Sequence, residues 1–506
     1  MSKLDIKTNS LWNSFNYGFS IVSLFFLFPF MIHHLGDVNY GFYIFLGTIN
    51  GVASIANFGF GEATIRFVAL YHNTNNLDKL KKILSTSFWT YLILGLIVSL
   101  CIIIFAGSIV RLLHDMKLDS HTAVYFIRIS TITFFIRFIM GIYSSVPQAL
   151  QRFDISSKIA IFETILRIGL YVTVLLSDYG LRGVVYSELI VAAFISIVNI
   201  VVSSKMLNTL IIFNRISKQA FREIFGYSIF SFLTQLVGLF WQYSDRILLG
   251  YFLGTAAIAY FSVPQQIIFK ILGLVTSASA VLFPRFSMFQ IDDSSKKIYK
   301  EFTLISLLFT IIVFSCLAFV IKDFIALWIS TSFAKSTLNI AIFLSISCMI
   351  RGAFPIYENL FKGIGKPIYN LYIILLSSFI IVVMDLILIP IIGLNGAGIA
   401  YIVSPIAGVI TLLLVWKKLL REDIKGPFKF YFIPLIISYI LLLFSLLVKR
   451  WLHLSPSWIG IILQIIIFGI LQVLLLVSYY KVFVPEIWRI LIDLAKRIQP
   501  VKLFNK

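Results

Sequence analysis

Ten of the ionisable side chains inside otherwise apolar stretches of the chain are candidates for chemistry. They are Arg128 and Arg137, Glu163 and Arg167, Asp245 and Arg246, Lys270, Arg351 and Glu358, and Asp385. In hydrocarbon such a group costs several kcal/mol unless it is paired or wet, so each is a candidate for function. Arg137 and Arg351 are 214 positions apart and each falls near the middle of its apolar run. Two guanidinium groups contributed from matching places would line a cationic cavity suited to an anionic cargo, because the planar fork matches phosphate oxygens. Lys270 adds a point charge to the same site, and Arg128, close to the end of its run, either joins it or snorkels to the interface. The alternative for Arg351 is a buried guanidinium satisfied by carbonyls or by Glu358, seven positions on. Glu163 and Arg167, spaced i,i+4, read as a self-neutralising structural pair. Asp245 and Arg246 are neighbours in "FWQYSDRILLGYFLG" and diverge by about 100° on a helix, so they face different directions. They brace the span or couple transport to an ion, as do Glu358 and Asp385.

These charges need a membrane to be placed in. The chain has 506 residues, 59% hydrophobic and 16% aromatic, and a mean hydropathy of +0.97. Apolar runs of about 18 to 25 residues recur throughout, each long enough to cross a hydrocarbon layer of about 30 Å as a helix. The periodicity predicts an all-α membrane protein of about fourteen spans, near residues 10–34, 40–65, 83–106, 122–147, 159–177, 183–203, 222–251, 256–283, 301–321, 336–361, 368–390, 394–416, 430–448 and 457–480. The first is read as a retained helix, since no small-residue cleavage site follows it. Cys101, Cys316 and Cys348 all fall within spans and suggest no disulfide framework.

The net charge of +20 is not a nucleic-acid footprint, because Lys and Arg concentrate in alternate loops. That is the positive-inside pattern, with both termini cytoplasmic and the basic clusters "LKKI", "KKIYK" and "KKLLRED" and the tail after Lys481 facing anionic lipid.

An internal echo organises the spans. "LGDVNYGFYIF" (Leu35 to Phe45) returns as "LGTAAIAYFSV" (Leu253 to Val263), and "YGLRGVVYSELI" (Tyr179 to Ile190) as "IGLNGAGIAYIV" (Ile392 to Val403). Two near-equal shifts separated by six spans predict a parallel repeat. The expected divisions are a six-helix lobe over 1–215, a second over 216–420, and two extra helices with a basic tail over 421–506. Repeat transporters bind cargo between lobes near the midplane, and Pro29, Pro264, Pro355, Pro405 and Pro434 mark candidate helix kinks.

The echoed segments, together with "FGFGEATIRFVALY" (Phe58 to Tyr71), "SDRILLGYFLGTAAIAYFSVPQQI" (Ser244 to Ile267), "VLFPRFSMF" (Val281 to Phe289), "LFKGIGKPIYN" (Leu360 to Asn370) and "IPIIGLNGAGIAYIVS" (Ile389 to Ser404), resemble the polysaccharide and O-antigen flippases. That family belongs to the multidrug, oligosaccharidyl-lipid and polysaccharide exporter superfamily. The resemblance implies a V-shaped transporter in the bacterial plasma membrane. It would move an undecaprenyl-pyrophosphate-linked oligosaccharide to the outer leaflet by alternating access, alongside a polysaccharide polymerase and its chain-length machinery. Lipid II flippases of the superfamily carry an arginine in the first helix; "SLWNSFNYGFSIVSLFFLFPFMIHH" has none, which weighs against peptidoglycan precursor as cargo. A multidrug cation antiporter shares the architecture but needs an acidic cavity. A membrane glycosyltransferase or polymerase needs a large extramembrane loop for its catalytic groups, and a scaffold would not explain buried charge in both lobes. His33 and His34 lack metal-ligand spacing and "GIGKP" lacks the phosphate-loop pattern, so neither cofactor, metal nor ATP hydrolysis is expected.

Overall fold

In the computed structural model, residues 3–498 are described except 75, 115–117, 208–215, 280–285, 287–292, 424 and 453–455. The described residues contain helices and no strand. The expected boundary at 215/216 and, apart from Phe286, the segment Val281 to Phe289 lie outside the described residues. The long helices are α1 (Lys3–Ala53), α2 (Phe60–Asn73), α3 (Leu77–Arg111), α4 (Ser120–Ala149), α5 (Phe153–Leu176), α6 (Gly180–Leu207), α7 (Lys218–Leu253) and α8 (Thr255–Ser279). They continue with α9 (Asp293–Trp328), α10 (Thr331–Ile350), α11 (Phe354–Gly363), α12 (Ile368–Ile392), α13 (Leu394–Val403), α14 (Ile406–Leu414), α15 (Ile433–Leu452), α16 (Trp458–Phe483) and α17 (Pro485–Ile498).

Among the described residues twelve helical segments are long and apolar enough to cross a membrane, so the count of fourteen is not reproduced. Two particulars account for the difference. The first segment, Leu11–Asn57, runs for 47 residues, about 70 Å of helix and more than twice the hydrocarbon thickness. It takes the place of the first two expected spans. The expected seventh, α7, forms one helix of 36 residues over Lys218–Leu253 and is not among the twelve counted from the described residues.

The long first segment is broken at Gly36, whose backbone (φ 73°, ψ 165°) leaves the helical region. Gly254, its echo 218 positions on, closes α7 with nearly the same conformation (φ 84°, ψ −178°). Only glycine occupies that region without strain. The second echo behaves alike: Gly180 and Gly393 both have positive φ, 53° and 63°. The repeat read from sequence is therefore written into the backbone as two matched pairs of helix breaks. Gly254→Ala should lower thermal stability by about 1–3 kcal/mol, measured as a reduced melting temperature in detergent, whereas Gly238→Ala within α7, where an added methyl meets nothing within 4 Å, should not.

The two copies of the first echo also touch. An added Cβ at Gly41 would lie 1.8 Å from the carbonyl oxygen of Thr255, and the Tyr260 hydroxyl donates to Asp37 Oδ2 at 2.6 Å. Residue 37 echoes 255 and 41 echoes 259, so this contact joins a repeat element to its own copy.

Two compact units result, Met1–Ser262 and Val263–Lys506. Compactness divides the chain later than the sequence repeat because α7 packs on α1, α2 and α3. In the first unit α4 lies between α3 and α6, and α5 between α1 and α6. In the second, α9 packs on α10, α15 and α16. Lys449 of α15 pairs with Asp323 of α9 at 2.9 Å and donates to the Phe319 carbonyl at 3.0 Å. Ser315 of α9 donates to Gln472 of α16 at 2.6 Å. These contacts make the last two long helices part of the second unit.

Lipid-facing surfaces are visible as exposed apolar stripes, such as Ile459, Ile462, Ile466, Ile470 and Leu474 on α16. Buried hydroxyls avoid the cost of an unpaired donor by bonding within their own helix: Thr131 donates to Ile127 at 2.7 Å and Ser345 to Ala341 at 2.7 Å. The chain is a multi-pass membrane protein.

Candidate functional site

Glu163, Arg167 and Tyr171 repeat at i, i+4 and i+8 and so share one face of α5. On that face two more charges arrive, Arg137 from the middle of α4 and Glu188 from the third turn of α6. Glu163 Oε1 accepts from Arg137 Nη1 at 2.8 Å and from Arg167 Nη2 at 2.6 Å. Glu188 Oε2 accepts from Arg137 Nη2 at 3.1 Å, while Glu188 Oε1 lies 2.9 Å from Arg167 Nε. Each guanidinium thus meets both carboxylates and each carboxylate meets both guanidinium groups. Tyr171 extends the ring by donating to Glu188 and shares a 3.0 Å hydrogen bond with Tyr43 of α1.

The ring carries no net charge, and that is why it persists in an apolar bundle. A lone guanidinium or carboxylate there would face the full desolvation cost, whereas four alternating charges offset one another at ion-pair distance. The four members are not equally enclosed: the Arg137 side chain is 37% exposed, against 26% for Arg167 and about a fifth for each glutamate. Arg137 and Glu163 border a cavity of about 170 Å³ between α4 and α6, also lined by Met140, Gly141, Ser144, Ala192, Ile195, Ser196 and Asn199. The lining residues recur at i, i+3, i+4 and i+7 on both helices, so the cleft is bounded by one face of each.

Glu163 and Arg167 meet as an i,i+4 pair, and the structure adds Arg137 to the same ring. Glu188 was not singled out from sequence. Its signal was available, since it is an acid within the apolar run after Gly180, but it lies near the start of that run and reads as an interfacial residue.

Arg351 stands in a different setting. It occupies a 3-10 turn, Arg351–Ala353, between α10 and α11, just ahead of Pro355. Its Nη2 donates to Ser404 at 2.8 Å, its Nε to Ser347 at 3.4 Å, and its guanidinium lies 6.0 Å from the Phe354 ring centre. Glu358 lies on α11, where its backbone carbonyl accepts from Asn370 at 3.0 Å. Arg137 and Arg351, matched in sequence, therefore differ in their surroundings: two carboxylates hold the first, and two serine hydroxyls contact the second.

The remaining sequence candidates lie on α4, α7, α8 and α12. Asp245 is fully buried and accepts from Ser244 at 3.4 Å; the Arg246 guanidinium lies 5.9 Å from the Tyr243 ring centre. Asp385 is fully buried on α12, Lys270 lies on α8, and Arg128 is exposed on α4, nine residues before Arg137. Among the described residues no three His, Cys, Asp or Glu side chains gather as a metal site would require.

Comparison with known proteins gives the family. Residues 6–290 match the family model of polysaccharide biosynthesis proteins; the chain belongs to that family. An uncharacterised membrane protein of Methanocaldococcus jannaschii is 25% identical over 71% of this chain and 73% of its own length. A Shigella flexneri protein named as an O-antigen transporter is 21% identical over 56% of this chain and 67% of its own. Among solved structures, the lipid II flippase MurJ in an inward closed conformation superposes with a TM-score of 0.71, 18% identity and 94% and 98% coverage of the two chains. An inward-facing multidrug transporter of the same superfamily gives 0.59 with 15% identity, covering 79% of this chain and 93% of its own. The chain shares its fold with these two proteins.

Proposed function

We propose that the chain is a flippase for a lipid-linked oligosaccharide, moving a polyprenyl-pyrophosphate glycan from the cytoplasmic to the outer leaflet of a bacterial plasma membrane, with both termini cytoplasmic. The observation that carries this reading is Arg137, a mid-helix arginine whose side chain is 37% exposed and borders a polar cavity, in a chain of the polysaccharide biosynthesis family. Two of its five N–H donors are taken by Glu163 and Glu188, and the others are available to phosphate oxygens. Arg351 is the second candidate contact, with Lys270 and Arg128 as further positive charges. A cationic drug as cargo is less well supported, because the most exposed member of the ring is the cation Arg137, whose side chain is 37% exposed against about a fifth for each glutamate. An inside-negative potential favours outward movement of an anion by about 2.3 kcal/mol per charge per 100 mV. Asp245, Glu358 and Asp385 are the candidates for coupling to an ion.

The sidedness of lipid-linked glycan in inverted vesicles, read with an impermeant glycosidase, tests the proposal. Unflipped glycan should accumulate on the cytoplasmic face only when the protein is absent; unchanged sidedness in a strain without a redundant flippase would overturn it. In the same assay the double variant Arg137→Gln, Arg351→Gln should transport at least about tenfold more slowly, and normal transport would remove both arginines from the site.

A further inference from the structure

We infer that the cavity between α4 and α6 is a subsite for a single neutral sugar ring of the cargo. The inference rests on the flippase reading and concerns which part of the cargo this cleft would take. At about 170 Å³ it lies below the roughly 300 Å³ lower bound of pockets for drug-sized ligands, so it admits one ring rather than a chain.

Its hydrogen-bonding capacity combines free acceptors and free donors, which fits a polyol, whose hydroxyls both donate and accept. Ser144 already donates to the Gly141 carbonyl at 2.8 Å and Ser196 to the Ala192 carbonyl at 2.6 Å, which leaves both hydroxyl oxygens as acceptors. Glu163 takes both arginines on Oε1, leaving Oε2 as a further acceptor. Asn199 uses one amide hydrogen on the Ile195 carbonyl at 3.0 Å and keeps its carbonyl oxygen and second N–H. Four acceptor oxygens, those of Ser144, Ser196, Glu163 and Asn199, therefore line the cleft beside the remaining N–H donors of Asn199 and Arg137. A ligand rich in hydroxyl donors satisfies them, and Met140 offers an apolar surface to the carbon face of a ring. Away from Arg137 and Glu163 the polar groups of the lining, those of Ser144, Ser196 and Asn199, are uncharged, so a neutral ring meets them without leaving a buried charge unpaired.

The test uses the full-length protein in detergent with two separate probes. Methyl glycosides of glucose, galactose and N-acetylglucosamine, observed by saturation-transfer NMR, report the subsite. Farnesyl diphosphate, measured by calorimetry, reports the anion site of the flippase reading. At least one glycoside should give transfer signal that falls at least about fivefold in Asn199→Leu, the loss expected from about one hydrogen bond, with farnesyl diphosphate affinity unchanged. Should Asn199→Leu not fold, Ser196→Val repeats the test on the same wall. Absence of glycoside signal, or signal indifferent to these variants, overturns the subsite. So does tetraphenylphosphonium binding that the same variants abolish, which would assign the cleft to cations. Glycoside binding without farnesyl diphosphate binding would support the subsite while overturning the anion site.

Discussion

Replacing Glu188 with Gln should destabilise the protein more than any other single change in the ring, by about 3–5 kcal/mol, because it strands charge that the bundle cannot hydrate. Arg137 and Arg167 would be left to share Glu163, giving the enclosed ring a net positive charge, and the Tyr171 hydroxyl would lose its carboxylate acceptor. The measurement is thermal unfolding in detergent together with a double-variant cycle. Arg167→Gln alone leaves the ring net negative and should also destabilise. Combining it with Glu188→Gln restores neutrality, so the double variant should be more stable than the sum of the single effects by about 1–3 kcal/mol. Additive losses would show that the ring does not act as a unit. Transport separates this structural role from cargo contact: the double variant should recover stability, and any remaining transport defect then belongs to the site.

Gly41→Ala should be the second large effect. A methyl group there would enter the carbonyl oxygen of Thr255 at 1.8 Å, and the obstacle is backbone at the start of α8, which cannot rotate away as a side chain would. The segments must separate, which would stretch the hydrogen bond between Asp37 and Tyr260. Overpacking of this kind costs about 1–3 kcal/mol or more. Because the contact joins an element to its own repeat copy, its disruption should also raise the accessibility of a cysteine introduced at Tyr260 to an impermeant thiol reagent, measured in a background lacking Cys101, Cys316 and Cys348. Wild-type stability and unchanged labelling in Gly41→Ala would mean that the two segments do not pack this closely in the membrane. Gly47→Ala, where the added methyl meets nothing within 4 Å, is the control.

Hydropathy and glycine placement made much of the fold legible. Length and apolarity set the spans, because a helix in hydrocarbon must satisfy its own backbone over about 30 Å. The echoed glycines set the breaks, because Gly36 and Gly254 occupy a conformation other residues resist. The count of crossings was less legible, because one 47-residue segment takes the place of the first two expected spans and contains the first break.

Sequence by itself determined that this chain spans a membrane as helices, that it repeats, and that its buried charges need partners. Who those partners are was decided by tertiary structure. Glu163 and Arg167 could be paired from their i,i+4 spacing, a property of one helix. Arg137 and Glu188 are 26 and 21 residues from those two, on other helices, and their membership of the ring depends on how α4, α5 and α6 pack. The same reason separates Arg137 from Arg351, alike in position and residue type. Spacing records where a charge enters the membrane; the carboxylates around the first and the serines around the second are brought there only when the helices associate.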